Sequence, residues 1–193
     1  MSRWVDLSLT LSEGASEDIP VKIEYFGHAA GAAHMSEIFG IEAAKLPAGL
    51  GWAGERVQLI THAGTHMDAP YHYGPRDRDG PAPTIDQVKI DECVGNGVVV
   101  DVRDLADGES IGVDVLNERL RSTGTELQSG DIVLFLTGRD RYWGRPDYKD
   151  RGPGVAPAVV RQCVERGVHV MGIDAWGFDK PFKFMREEYA QTG

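Results

Sequence analysis

Val159–Asp174 reads VVRQCVERGVHVMGID, and this stretch decides the fold class. It continues a helical pattern over Ala156–Arg166, in which Pro157 lies near the start and Gly167 follows the end. The next residues, Val168–Ile173, are rich in β-branched side chains and short enough for a strand. A helix that leads directly into a strand is typical of α/β layering.

The same alternation extends from this unit towards the N-terminus. Two further runs rich in β-branched residues predict strands, at Val98–Val102 and Ile132–Thr137. Asp114–Ser122 predicts a helix between them, because Leu116 and Leu120 are spaced to share one face. We therefore predict an α/β fold for the second half of the chain.

The first half has weaker signals. Trp4–Leu11 alternates in part and predicts a strand, and Val57–Thr61 predicts another. Residues 27–55 are rich in glycine and alanine, with a short helical pattern near Ser36–Leu46. A loop this long is unusual unless it is functional, so we expect it to cover a site as a lid.

Composition bounds the class of protein and its partners. A length of 193 residues fits one domain with a substantial core, and a net charge of -10 disfavours nucleic acid as a partner. No apolar run approaches the ~20 residues that span a bilayer, and the N-terminal residues lack a signal-peptide pattern, so we expect a cytoplasmic protein. Cys93 and Cys163 are too few for a disulfide framework, and we expect both to be buried as small hydrophobic residues.

The chemistry is concentrated in His62–His72, which reads HAGTHMDAPYH. Three of the six histidines and one aspartate lie in this segment. Neutral imidazole and ionised carboxylate are the ligands that hold Zn²⁺, Mn²⁺ or Fe²⁺. The segment therefore predicts a metal site.

Backbone geometry limits how these residues share one ion. On a helix, His62 and His66 would share a face but Asp68 would point away. On a straight strand, His62 and His66 would lie ~13 Å apart at roughly 3.3 Å per residue, too far for two ligands of one ion. The chain must bend between them, and Gly64 supplies the backbone freedom. We predict His62, His66 and Asp68 as metal ligands, which leaves coordination positions open for water.

His72 follows the ligand residues beyond a rigid Ala69-Pro70 step. It has three possible roles: a fourth ligand, a ligand of a second ion, or a general base, since imidazole exchanges protons near neutral pH. Thr65 is a candidate to orient a ligand.

Other candidates have weaker support. Arg139 and Arg141 are candidates to hold a substrate carboxylate, although a solvated charged loop is the simpler interpretation. Four aromatic residues are candidates to line a substrate pocket or to pack ordinarily in the core: Trp4, Phe39, Trp52 and Trp176. The remaining histidines are expected to be structural or exposed: His28, His34 and His169.

Thr61–Tyr73, THAGTHMDAPYHY, resembles the HxGTHxDxPxH signature of the cyclase-like metal-dependent hydrolases, a family that includes kynurenine formamidases and isatin hydrolases. Further stretches resemble the family's DLS, GDxV…TG and GxDxxSxD segments: Asp6–Ser8, Gly130–Val133 with Thr137–Gly138, and Gly172–Asp174 with Asp179. The resemblance covers most of the chain.

This resemblance implies a swivelling β/β/α domain with a mixed sheet and flanking helices. It implies hydrolysis of an amide C–N bond, in a formamide or lactam of a small aromatic or cyclic substrate, by metal-activated water. His62, His66 and Asp68 would bind Zn²⁺ or Mn²⁺, and His72 would be the catalytic acid and base. It also implies a homodimer or homotetramer.

The chain departs from the family pattern at two places. Gly177 replaces the serine of GxDxxSxD, and no histidine follows His169, where the family has a further His and Glu that complete the metal site. We therefore expect residues 1–193 to form a single cyclase-like domain that lacks its C-terminal part.

Two other functions remain open at this point. One is a non-catalytic metal-binding or assembly protein. The other is an Fe(II) oxygenase, in which His66, Asp68 and distant His169 would form a two-histidine, one-carboxylate triad. The alternation of helix and strand disfavours the oxygenase, because the double-sheet scaffold often used by such enzymes is all-β.

Overall fold

The computed structural model describes residues 3–13, 19–77 and 80–192. The chain divides into two compact units, Met1–Met67 and Asp68–Gly193. Sheets with flanking helices confirm the predicted α/β class. In the described part of the chain, none of the helices is long and apolar enough to cross a membrane.

In the first unit, strand β1 (Lys22–Phe26) pairs antiparallel with strand β2 (Gly54–Gln58), and helix α1 (His28–Phe39) lies between them in sequence. α1 packs very closely on the chain around Trp52. A Cβ added at Gly31 would lie 1.7 Å from the Trp52 carbonyl oxygen, so only glycine allows this contact.

Several predictions for the first unit are corrected. Trp4–Leu11 is fully described and contains no strand; Trp4 is 96% exposed, and the Leu9 N–H donates to Thr65 Oγ1 instead of to a neighbouring strand. Strand β2 ends three residues before the predicted Thr61. The predicted helix at Ser36–Leu46 is wrong in its bounds, because α1 begins at His28 and ends where Gly40 turns left-handed with φ 63°.

The second unit is built on three parallel strands in the order β3 (Gly97–Asp101), β5 (Ile132–Leu136) and β7 (Val170–Ile173). These strands confirm the three β-branched runs to within two residues. The remaining elements of this unit are α2 (Pro70–Tyr73), β4 (Ser110–Ile111), α3 (Val113–Thr123), β6 (Gly154–Val155), α4 (Pro157–Glu165) and α5 (Phe182–Thr192); β4 and β6 pair in parallel.

The core of this unit lies between its parallel sheet and helices α3 and α4. Leu116 and Leu120 are buried, as their spacing predicts, and Val133 and Phe135 meet them from β5. Cys163 is buried here as predicted, whereas Cys93 is partly exposed. This arrangement places the carboxyl ends of β3, β5 and β7 along one edge of the sheet.

Candidate metal centre

The segment that follows β2 has the bend that the sequence requires. Gly64 has a left-handed φ of 63°, where a side chain would be strained. Pro70 then begins α2, a single turn that carries His72. One continuous segment therefore bends at a glycine and ends in a short helix.

Three predicted site residues come together in this segment. His62, Asp68 and His72 each offer one ligand atom, and these atoms lie within 4.8 Å of one another. Two ligands that each lie ~2.1 Å from an ion are at most ~4.2 Å apart, so small side-chain adjustments suffice to hold a divalent cation. Two imidazoles and one carboxylate are also the donor types that such a cation takes.

His66 lies beside this group. Its Nε2 is 3.3 Å from His62 Nδ1, and its Nδ1 is 3.0 Å from the Gly64 carbonyl oxygen. The two rings meet edge to face with centroids 5.1 Å apart. Among the described residues, the closest ligand group contains His72 rather than His66. The ligand set and the role of His72 remain predictions.

Thr65 and Tyr73 make hydrogen bonds in this segment. Thr65, a candidate to orient a ligand, accepts the Leu9 N–H at 2.9 Å. The Tyr73 hydroxyl donates to Asp68 Oδ2 at 3.4 Å. Desolvation of the hydroxyl, then the charge of Asp68 and its hydrogen bond, and last the charge of Asp179 raise the pKa of Tyr73 above its usual value. Tyr73 directly follows the last histidine of the motif, and this position was the available signal.

Asp174, in the stretch that resembles GxD, directly follows β7 at the carboxyl edge of the parallel sheet. Its Oδ1 accepts the Thr137 N–H and the Thr137 hydroxyl, and its Oδ2 accepts the Gly138 N–H. Two of the motif-like stretches therefore meet through one carboxylate, and this contact is structural.

Arg139 is not part of a solvated loop, which corrects the simpler interpretation. Its side chain is only 6% exposed, and its Nε donates to Asp107 at 3.0 Å. Its terminal nitrogens donate to the carbonyls of Thr137 and Leu105. The donors are thus engaged within the protein, whereas Arg141 is exposed and stacks on Tyr142.

The other sequence candidates are distributed over both units. Phe39 and Trp52 pack edge to face in the first unit, and Trp176 packs on Phe182 in the second. The histidines outside the metal segment have ordinary surroundings: His28 Nδ1 lies 2.8 Å from the Gly51 carbonyl oxygen, His34 packs on Trp52, and His169 is exposed.

Comparison with known proteins identifies the family. Residues 5–180 match the family model described as "Putative cyclase". The chain belongs to the cyclase family. Its curated cyclase-family relatives include kynurenine formamidases from Erythrobacter litoralis, 29% identical over 127 residues, and from Salinibacter ruber, 30% identical over 125 residues. Each alignment covers 64% of this chain, and 50% and 51% of the respective relative, so the chain spans about half the length of the curated relatives it matches.

Solved structures agree with this assignment. Isatin hydrolase A from Ralstonia solanacearum is 26% identical, with a TM-score of 0.71 over 91% of this chain and 68% of the other. An isatin hydrolase bound to the product analogue thioisatinate has the same TM-score over 92% of this chain and 68% of the other, and at 18% identity it shows the fold alone. The resemblance found in the sequence is thereby confirmed.

Proposed function

We propose that this cyclase-family protein is a metal-dependent hydrolase that cleaves an amide C–N bond in a small aromatic or cyclic substrate. The observation that carries the proposal is the convergence of His62, Asp68 and His72 within 4.8 Å. The relatives support the reaction class, since a formamidase hydrolyses a formamide and the substrate that names the isatin hydrolase, isatin, is a cyclic amide.

We assign the ion to His62, His66 and Asp68, with Zn²⁺ or Mn²⁺ as the metal. When bound, such an ion lowers the pKa of a water molecule and polarises a carbonyl oxygen. Asp68 supplies negative charge to the site, and the Tyr73 hydroxyl donates to its Oδ2 at 3.4 Å, which favours one orientation of the carboxylate.

We assign the role of acid and base to His72. Its ring lies within 4.8 Å of the donor atoms of His62 and Asp68, near enough to exchange a proton with a water at the site. The imidazole takes a proton from the attacking water and returns it to the departing nitrogen, so that the amine leaves neutral. α2 carries this residue on a helical turn that begins at Pro70.

Turnover with and without metal tests the proposal. The chain is stripped with chelator, reloaded with Zn²⁺ or Mn²⁺, and assayed on N-formylkynurenine and isatin while elemental analysis reports the metal content. We expect turnover of one substrate to depend on the metal. Stoichiometric metal without turnover of either would contradict the hydrolase and favour a non-catalytic metal-binding protein. Oxygen uptake with a 2-oxo acid would instead indicate an Fe(II) oxygenase.

Subunit assembly is part of the same proposal. The sequence resemblance implies a homodimer or homotetramer, and light scattering of the metal-loaded protein measures the mass directly. A monomeric mass would contradict this part without affecting the hydrolase assignment.

A further inference from the structure

A second polar site lies in the C-terminal unit, at the end of strand β3 and beside helix α3. It is an open cleft of about 600 Å³, lined by Asp101, Arg103, Asp104, Arg119, Ser122 and Arg141. Asp101 is the last residue of β3, so the cleft begins at the carboxyl edge of a parallel sheet. In open α/β sheets, small ligands bind outside this edge.

The cleft has an excess of positive charge. Three guanidinium groups face two carboxylates, in a chain whose net charge is -10. Two of these arginines have acidic partners. Arg103 donates hydrogen bonds from Nε and Nη2 to Asp101, which lower the pKa of that carboxyl to about 2. Arg119 Nη2 lies 2.6 Å from Asp104 Oδ2.

Arg141 is the third arginine that lines the cleft. Among the described residues, no carboxylate lies within ion-pair distance of it, and its charged group stacks 5.1 Å from the centre of the Tyr142 ring. This stacking restricts the side chain in advance, which reduces the entropy lost when a ligand binds. The planar guanidinium matches the two oxygens of a carboxylate or phosphate.

Arg119 is less exposed than Arg103: 27% of its side chain is accessible, against 61% for Arg103. Its Nε is shielded from solvent and has no hydrogen-bond partner in the described structure. Because water does not reach this N–H, an anion in the open cleft does not reach it either, and Arg119 contributes to the cleft through its positive charge.

We propose that this cleft binds the oxyanion group of a small molecule, a carboxylate or a phosphate, with Arg141 as the principal contact and Arg103 and Arg119 adding positive charge. No residue of the histidine segment lines this cleft, and the proposed binding needs no metal. An anion here would neutralise the excess positive charge of the cleft.

Calorimetric titration of the whole chain at low ionic strength tests this proposal, with inorganic phosphate in one arm and succinate in the other. We expect binding of at least one probe, weakened about tenfold or more in Arg141→Gln, as loss of a charge-assisted hydrogen bond implies. Arg145→Gln is the matched control, since Arg145 stacks on the same Tyr142 ring but does not line the cleft. It removes the same charge and should change affinity less than twofold.

The two arms distinguish the possible ligands. Binding of phosphate alone indicates a phosphorylated ligand, and binding of succinate indicates a carboxylate. Binding of neither probe overturns the proposal. An equal loss in Arg141→Gln and Arg145→Gln also overturns it, because that result reports net charge rather than a site.

Discussion

Asp174 binds Thr137 through both the backbone N–H and the hydroxyl of that residue, each at 2.6 Å, across 37 positions of sequence. Its other oxygen accepts the Gly138 N–H at 2.7 Å. Thr137 is completely buried. The carboxylate thus satisfies donors at the end of β5, where Thr137 is inaccessible to water, and it connects that end to the residue after β7.

Asp174→Ala is expected to destabilise the second unit by about 3 kcal/mol, because it leaves several buried donors without an acceptor at ~1–3 kcal/mol each, partly relieved by entering water. Urea unfolding followed by circular dichroism measures the change. Asp140→Ala removes an exposed carboxylate from the same edge and should stay within ~0.5 kcal/mol of wild type. Equal stability of the two variants would contradict the role of Asp174.

Much of the second unit follows from its sequence because its signals are local. Leu116 and Leu120 are four residues apart and are buried together, and the β-branched runs of β3, β5 and β7 are each contiguous. Arg139 shows the limit of this reasoning. Its carboxylate partner Asp107 lies 32 residues away, and no pattern near Arg139 reveals that pairing.

The first unit was harder to predict for two physical reasons. Alternation over Trp4–Leu11 shows only which side chains are apolar. A strand also needs a neighbouring strand that accepts and donates its backbone hydrogen bonds. Here the Leu9 N–H donates to the Thr65 hydroxyl oxygen instead. In α1, Gly31 weakens the helical signal because glycine has a low helix propensity. The absence of a side chain at Gly31 nevertheless lets the helix pack directly against the Trp52 backbone. In both cases contacts with residues distant in sequence determined the local structure.

The bend at Gly64 was predictable from ligand distances alone, because a straight chain separates His62 and His66 too far. The nearness of His72 to Asp68 was not, since it depends on the single turn of α2.

Arg139→Met is expected to cost about 3 kcal/mol of unfolding free energy, because it leaves a largely buried Asp107 with one guanidinium partner fewer and two carbonyls without donors. Arg139→Lys should recover only part of the loss, since an ammonium group cannot reproduce the planar fork. Chemical denaturation compares both with Arg161→Met, an exposed arginine on α4. Full recovery by lysine would show that charge alone matters.

Acid is expected to weaken the second unit through Asp107. Burial alone would raise the pKa of this carboxyl, but hydrogen bonds from Arg151, the Gly152 N–H and Arg139 outweigh it and lower the pKa below the ordinary 3.8. A lowered pKa in the folded state stabilises the fold above pH ~3.8, and this stability is lost as the pH falls through the folded value. The unfolding free energies of wild type and Asp107→Asn should therefore converge below pH 3.8. A constant difference between pH 7 and pH 3 would exclude this linkage.

His66→Ala is expected to reduce bound metal sharply while leaving the fold intact, because the residue is one of the three proposed ligands and is not part of the core. Elemental analysis after dialysis reports the metal, and circular dichroism reports the fold. His169→Ala, which removes an exposed histidine elsewhere, is the control. Retention of wild-type stoichiometry would remove His66 from the ligand set and leave His62, Asp68 and His72 as the group that binds the ion.

His72→Ala separates the two roles that its position allows. As the acid and base it should keep its metal and lose turnover by about 10²–10⁴-fold, the usual contribution of proton transfer by a positioned side chain. Metal content and kcat are measured on the same preparation, at saturating Zn²⁺ or Mn²⁺. The pH dependence of kcat/KM adds a second readout, since the limb that reports the base should disappear in the variant. Joint loss of metal and turnover would make His72 a ligand, as its distance of at most 4.8 Å from the other donor atoms permits. Unchanged kcat would exclude it from the reaction altogether.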